Sequence, residues 1–413
     1  MMHTVTIPLL LSAALPSVEL PSAELLPAQS LSASGASTTA HMAHSHTHAP
    51  NEINEVHGPI LLEVTYTGEV MSNVDGGIRQ GTRALDNLDL VMEADLNALI
   101  GWSGAEIHVY GLYNNGTSVS DLVGDSFAVS NIETGTRALR LYEAWIEQKF
   151  DSGFSLKFGL YDLNSEFDAI ESSALFVGSA HGIGADISQA GLNGPSIFPF
   201  TSLALRAEKS FESGVKIRAA ILDGVPADPA HPKRTALKLD ADDGALIIAE
   251  VDIPLMGGEG RLLAGHWRYT GAFDDFAGAQ RRDNAGLYLR GETLLLQKSG
   301  TRLDGFFRLG LANGKLNMYR AFTSGGVKLT GLFAADTSDE AGFAIATAWT
   351  SDDYRRTTGA GRSETAFELT YRRSVLPFLT IQPSVQYIRT PSADPGIDDA
   401  LVLGMRAEIS FRL

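Results

Sequence analysis

The amino-acid sequence predicts an all-β chain: a transmembrane antiparallel β-barrel of about 16 strands, with a long inward-folded loop after strand 5. Three observations carry this reading. From residue 60 to the end, segments of about ten residues alternate apolar and polar side chains, the pattern of a strand with two unlike faces. The connections between them alternate short and long, which places turns at one rim and loops at the other. The polar face repeatedly holds cations (Lys157, Arg206, Lys216, Arg218, Arg268, Arg290, Arg308, Lys328, Arg372 and Arg406), although the formal net charge is −17. Guanidinium groups on so many strands stay hydrated together only if that face encloses water.

Composition narrows the class further. A chain of 413 residues suffices for one large barrel or for two or three globular domains. Its acidic balance argues against a nucleic-acid partner. The absence of cysteine excludes a disulfide scaffold and thiolate-ligated metal. No stretch reaches the roughly 18 apolar residues of a membrane helix, but a spanning strand needs only about 9–11.

The N-terminal part divides in two. Residues 4–15, TVTIPLLLSAAL, read as the apolar core of a secretory signal, although no Lys or Arg precedes them. Residues 1–36 are therefore expected to form a signal-like segment, with small-residue sites at 12–14 and 34–36. Residues 37–58 read as a disordered, His-rich periplasmic extension. His41, His44, His46 and His48 sit at spacings that could bind Zn, Cu or Ni. No acidic or cysteine partner fixes a geometry for them, and a flexible polar linker with no defined site is the preferred reading of the tract. No cofactor is expected. The remainder, 59–413, is the barrel.

The strands are expected in this order: 60–70, 86–98, 103–113, 138–150, 153–161, 201–211, 214–222, 244–253, 260–270, 285–296, 301–311, 325–334, 341–350, 364–374, 378–389 and 400–413. In the first, Leu62, Val64 and Tyr66 oppose Glu63, Thr65 and Thr67. The second sets Leu88, Leu90 and Met92 against Asp89 and Glu93. The fourth is less tidy, with Tyr142, Ala144 and Ile146 against Glu143, Trp145 and Glu147. The fifth, FSLKFGLY, and the sixth, TSLALRAEKSF, alternate cleanly and flank an insertion, 162–200, far longer than a hairpin loop. The connections 71–85, 114–137, 162–200, 223–243, 271–284, 312–324, 351–363 and 390–399 are expected to be the long ones. The closing strand is clearest: Leu401, Leu403, Met405, Ala407, Ile409, Phe411 and Leu413 oppose Val402, Gly404, Arg406, Glu408, Ser410 and Arg412. In a large barrel the apolar row faces lipid and the polar row lines water. Tyr66, Trp102, Trp145, Phe211, Trp267, Tyr269, Trp349, Tyr371, Phe378, Tyr387 and Phe411 are candidates for interfacial girdles.

Three stretches carry a family resemblance: LIGWSGAEIHVYGLYNNG (99–116), RLYEAWIEQKFDSGFSLKFGLYDLNSEF (140–167) and ETAFELTYRRSVLPFLTIQPSVQYIRTPSADPGIDDALVLGMRAEISF (364–411). Together they resemble the carbohydrate-selective porins (OprB-like) from about residue 60 to 411. The resemblance implies a sixteen-stranded barrel in the bacterial outer membrane that passes sugars passively, often preferring glucose or related saccharides. It implies carbohydrates, outer-membrane lipid with lipopolysaccharide, and the barrel-assembly machinery as partners, and a monomer or homotrimer. One departure is the terminus, where Arg412 and Leu413 follow Phe411.

A diffusive sugar filter needs donors, acceptors and stacking surface that bind weakly enough to release. The insertion offers Asp162, Asn164, Glu166 and Asp168 beside Phe167. Arg206, Arg268, Arg290 and Arg308 are expected on the opposite wall, giving a transverse field at the narrowest point. Each acid could instead serve loop folding, and Asn164 could form an Asx turn. Other classes fit less well. No GxSxG elbow or nucleophile–His pair supports a barrel hydrolase. GSAHGIG lacks the Lys-Ser/Thr ending of a phosphate loop. A general or metal-linked porin using the His tract remains the alternative.

Overall fold

The computed structural model describes residues 58–413, apart from 236, 238, 241 and 334–338. The expected signal-like segment and the extension up to residue 57, with His41, His44, His46 and His48, lie outside the described residues.

The barrel strands are β1 (Ile60–Gly77), β2 (Gly81–Asp95), β3 (Ala105–Asn114), β4 (Ala138–Lys149), β5 (Phe154–Tyr161), β6 (Ser202–Ser210), β7 (Lys216–Asp223) and β8 (Ala245–Leu255). They continue as β9 (Gly260–Tyr269), β10 (Ala285–Lys298), β11 (Thr301–Ala312), β12 (Tyr319–Thr330), β13 (Glu340–Thr350), β14 (Ser363–Leu376), β15 (Leu379–Arg389) and β16 (Asp398–Arg412). Each pairs antiparallel with its sequence neighbours, and β16 closes on β1 in a register running from Glu63↔Arg412 to Gly77↔Asp398. Closure leaves no open sheet edge, which lipid would not tolerate.

Period-two alternation sets the two faces. In β7, Ile217, Ala219 and Ile221 are exposed while Arg218, Ala220 and Leu222 are buried. Leu205, Ile221 and Ile247 lie side by side across β6, β7 and β8, all half-exposed on the outside. That arrangement is the lipid-facing apolar band of a membrane barrel.

Some expectations need correction. The join between β1 and β2 is only residues 78–80, not a long loop over 71–85. The alternation persists through Met71 and Asn73, and Gly76 and Gly77 turn with φ of 62° and 66°. The untidy fourth strand has a cause: β3 and β4 slip register at Tyr110/Gly111, and Tyr142 and Glu143 are both buried. Trp145, Trp267 and Tyr269 face inward rather than joining a girdle. Trp267 lies against Gly286, where a Cβ would stand 2.4 Å from the indole. Trp102, Phe211, Phe378 and Phe411 are exposed beside the short turns, as an interfacial belt requires.

Candidate functional site

The connection between β5 and β6 carries three single 3-10 turns (Leu163–Ser165, Ser172–Leu175, Ser179–His181) and a helical turn, Ala185–Ser188. Its apolar side chains pack with inward residues of the wall: Leu163, Phe167 and Ile187 with Tyr161, Trp267 and Tyr288. The segment is therefore held against inward-facing residues of the wall.

Acidic side chains on inward strand positions hold its backbone. Glu143 accepts from Asp162 N (2.9 Å) and Glu250 from Asp168 N (2.8 Å). Glu292 accepts from Ser172 N (2.8 Å) and Oγ (2.7 Å). Glu368 accepts from Val177 N (2.7 Å) and Gly178 N (2.9 Å), while Gln382 Nε2 donates to Leu175 O (2.6 Å). Each bond satisfies a backbone group that would otherwise be buried unpaired. These wall residues were not among the sequence candidates. Their signal was an acid at inward parity inside an otherwise apolar strand, as Glu250 is in ALIIAEVDI.

Asp168 sits at the centre of a sealed ion-pair knot. It adopts φ 54° and is fully buried. Arg308 Nε lies 2.8 Å and 2.9 Å from its two carboxylate oxygens, and Arg308 Nη1 lies 2.5 Å from Asp186 Oδ1. Arg290 donates to the Asp168 carbonyl, to Gly182 O (2.7 Å), to His181 O (2.9 Å) and to Ser173 Oγ. Both guanidiniums are thus enclosed by loop backbone and acid. Gly184 makes room for them, because a Cβ there would stand 2.0 Å from Arg308 Nη1 and the guanidinium would have to shift.

Glu166, two residues earlier, is held differently. It accepts from Lys157 Nζ (2.8 Å), Tyr161 OH (2.7 Å), and Arg206 Nε and Nη2 (2.7 Å each). Arg206 also reaches Glu147 (2.9 Å) and Ser155 Oγ (2.6 Å), and Lys157 lies 3.7 Å above the Trp145 ring. The Glu166 side chain keeps 17% of its surface open, against 2–4% for Lys157, Glu147 and Arg206. Burial raises its affinity for a proton, but Lys157 and Arg206 outweigh this and hold the carboxyl well below its usual range.

The other candidates fall as follows. Asp162 accepts from Tyr142 OH (2.7 Å) and Asn164 N (2.8 Å), so it is the Asx turn-former at this corner. Burial, then repulsion from Glu143, pushes it up to about 7. Asn164 Nδ2 donates to Phe167 O (3.0 Å) and folds the loop. Phe167 exposes no ring surface, so it offers no stacking face. Arg268 is not in the lumen: it alternates with buried Trp267 and Tyr269 and pairs with outward Ile247, so its strand parity places it outside. Arg206, Arg290 and Arg308 bond directly to the loop instead of facing it across water. His181, fully buried, is driven down to about 3 by burial and by Arg290, which excludes it as a charged group at neutral pH. Among the described residues no group of acidic and imidazole side chains is arranged to hold a metal.

The closed sixteen-strand barrel has a charged inner wall and an apolar exterior, and comparison with known proteins names its class. Residues 79–411 match the family described as carbohydrate-selective porin, OprB family. The chain belongs to that family. It is 24% identical over 404 residues to Porin B of Pseudomonas aeruginosa, covering 85% of this chain and 87% of the relative. The high-pH structure of Pseudomonas putida OprB superposes with a TM-score of 0.77 at 21% identity, covering 86% of this chain and 94% of that one. The outer-membrane channel DcaP of Acinetobacter baumannii shares the fold more distantly, with a TM-score of 0.53 at 11% identity, covering 85% and 97%. This OprB-family barrel is thus a carbohydrate porin of the bacterial outer membrane, a channel by family and fold.

Proposed function

We propose that the barrel passes glucose-like mono- and oligosaccharides by passive diffusion, and that 162–200 forms its constriction. The observation that carries this reading is the partly open Glu166 carboxylate in its cage of Lys157, Arg206 and Tyr161. A carboxylate accepts from sugar hydroxyls, and ammonium and guanidinium groups donate to them, so one small surface offers both functions. Release stays fast because every charge there is already neutralised by a neighbour. In this reading Glu166 is the solute contact. Asp162, Asn164, Phe167, Asp168, Arg290 and Arg308 set where the loop lies. Insertion by the barrel-assembly machinery, contact with outer-membrane lipid, and function as a monomer or homotrimer complete the proposal.

Liposome swelling with a sugar series tests it. Glucose and its short oligomers should enter faster than size-matched zwitterionic solutes, and Glu166→Ala should reduce that difference. Equal rates for all solutes of one size, unaltered by the substitution, would show a general pore.

A further inference from the structure

Ion pairs on the inner wall differ in what they leave open. Deep in the barrel a cation and an acid seal each other, as Arg206 and Lys157 do with Glu147. At the short-turn rim the cation opens and its acid does not: in Arg261–Asp252, Arg302–Asp304 and Arg412–Glu63 the carboxylate keeps 13% of its surface or less. Among the described residues the inner wall departs from both patterns where β2, β3 and β4 approach that rim. Glu93 and Lys149 are each 37% open there, and Glu106 is 27% open. Lys149 Nζ lies 2.7 Å from Glu106 Oε2, so acceptors and a donor are accessible side by side.

These three side chains line a cavity of about 400 Å³, whose wall also includes Leu61, His108 and Trp145. Cross-strand pairing builds it. Glu93 stands opposite His108, and His108 opposite Trp145, at inward positions of three consecutive strands. The His108 ring stacks on the Trp145 indole, with centroids 4.8 Å apart and planes 7° from parallel. Lys157 of β5 lies over the same indole, 3.7 Å from its centroid, and donates to Glu166 at 2.8 Å. Trp145 is therefore a wall shared by the Glu166 cage and the cavity, closed over by His108 and Lys157 rather than offered as a stacking face. Ligand pockets run from about 300 to 1,000 Å³, so a cavity near the lower end suits one sugar ring better than a chain of them. Carboxylates accept from ring hydroxyls and an ammonium donates to them. Because all three groups keep access to water, a ring bound there exchanges readily with solvent.

We propose that this cavity is a second carbohydrate station, which takes a single pyranose on the short-turn side of the Glu166 cage as it leaves or enters the channel. The station rests on the proposed conduction of sugars, and not on Glu166 being the solute contact.

Single channels of the full chain in a planar bilayer, with glucose added to each side in turn, test it. In the wild type, glucose from the short-turn side should reduce the ionic current saturably. Glu93→Ala with Lys149→Ala should raise the half-saturating concentration from that side by about tenfold, and change the opposite side less. Leu61 stands at an inward position between outward Ile60 and Leu62. Leu61→Trp, which fills the cavity and removes none of its charges, should have the same one-sided effect. Glu166→Ala should act from both sides instead. Its failure to do so would count against the constriction alone and leave the station standing. Equal half-saturation in the wild type and both cavity variants would overturn the proposal. So would a shift in the charge variant without one in Leu61→Trp, since that reports an altered lumen potential and no bound ring. Heat-modifiable gel mobility checks assembly, and a charge variant that fails to assemble leaves Leu61→Trp to decide on the same criteria.

Discussion

Glu166 and Asp168 are two residues apart, and each meets arginines from the wall, yet the two junctions do different work. Asp168 is sealed with Arg308 and Arg290, and the spare donors of Arg290 end on loop carbonyls. Glu166 meets Lys157 and Arg206 with part of its surface open. In the first, desolvation makes every missing partner costly, so the pair acts as a bolt. In the second, 17% of the Glu166 side chain stays open, which is what the proposed solute contact rests on. Proximity in sequence and identical chemistry do not set the role; enclosure does.

The largest break in that contrast comes from Arg308→Ala. It leaves Asp186 buried without its partner and Asp168 with Arg290 alone, an expected loss of about 3–5 kcal/mol. The gel-shift unfolding temperature should fall, and single-channel conductance should rise or become noisy as the segment comes loose. An unaltered channel would show that the loop is held without the bolt. Gly184→Ala attacks the same junction sterically. The clash at 2.0 Å falls on the far end of a flexible side chain, so the expected loss is smaller, about 1–3 kcal/mol. In the Arg308→Ala background the same glycine change should cost less than in the wild type, because the guanidinium it strikes is gone and only Asp186 Oδ1, 2.5 Å from the added Cβ, remains in its way. Additive losses would place the strain elsewhere.

Glu166→Gln addresses the open junction. Shape is retained, but Lys157 and Arg206 lose a counter-charge, leaving Glu147 between them. Reversal potentials in a salt gradient should shift toward anions. Glucose flux should change by roughly two- to tenfold, equivalent to the loss of one charge-assisted hydrogen bond. Unfolding temperature should move less than in Arg308→Ala. The reverse order would mean that Glu166 is the bolt and Asp168 the contact.

The barrel was legible in the sequence because period-two alternation survives in most strands, and a one-residue slip would bury the wrong face. The inward cations Arg206, Arg290 and Arg308 followed from that parity alone. Arg268 did not, since near a strand end a basic residue on either face meets a polar layer, and composition cannot tell lumen from headgroup. Phe167 resembled a stacking platform because an aromatic among acids in a long loop has the same letters whether it is exposed or pinned beneath the loop. Glu143, Glu250, Glu292 and Glu368 were hidden for a related reason. Their role is to receive backbone N–H groups from a segment more than a hundred residues away in the last two cases, and such pairings leave no local pattern.

The smallest expected effect lies at the start of the same segment and sharpens the contrast by pH. Asp162 is raised to about 7 by burial and by Glu143, whereas Glu166 is held well below the carboxylate range. A raised carboxyl contributes stability that is complete below its unfolded value, near 3.9, and lost as pH rises through 7. A depressed one contributes stability that is present above about 4.3 and lost as pH falls below it. Lowering pH from 8 to 5 should therefore tighten the β5 end of the loop while leaving the Glu166 cage ionised. Further acidification should open the cage. Hydrogen exchange of the amides at 162–168 should show maximal protection near pH 5. Asp162→Asn, which keeps the acceptor for Asn164 N but cannot ionise, should abolish the change between pH 5 and 8 and leave the acid limb intact. A pH 5–8 dependence that survives this substitution would assign the titration to another group.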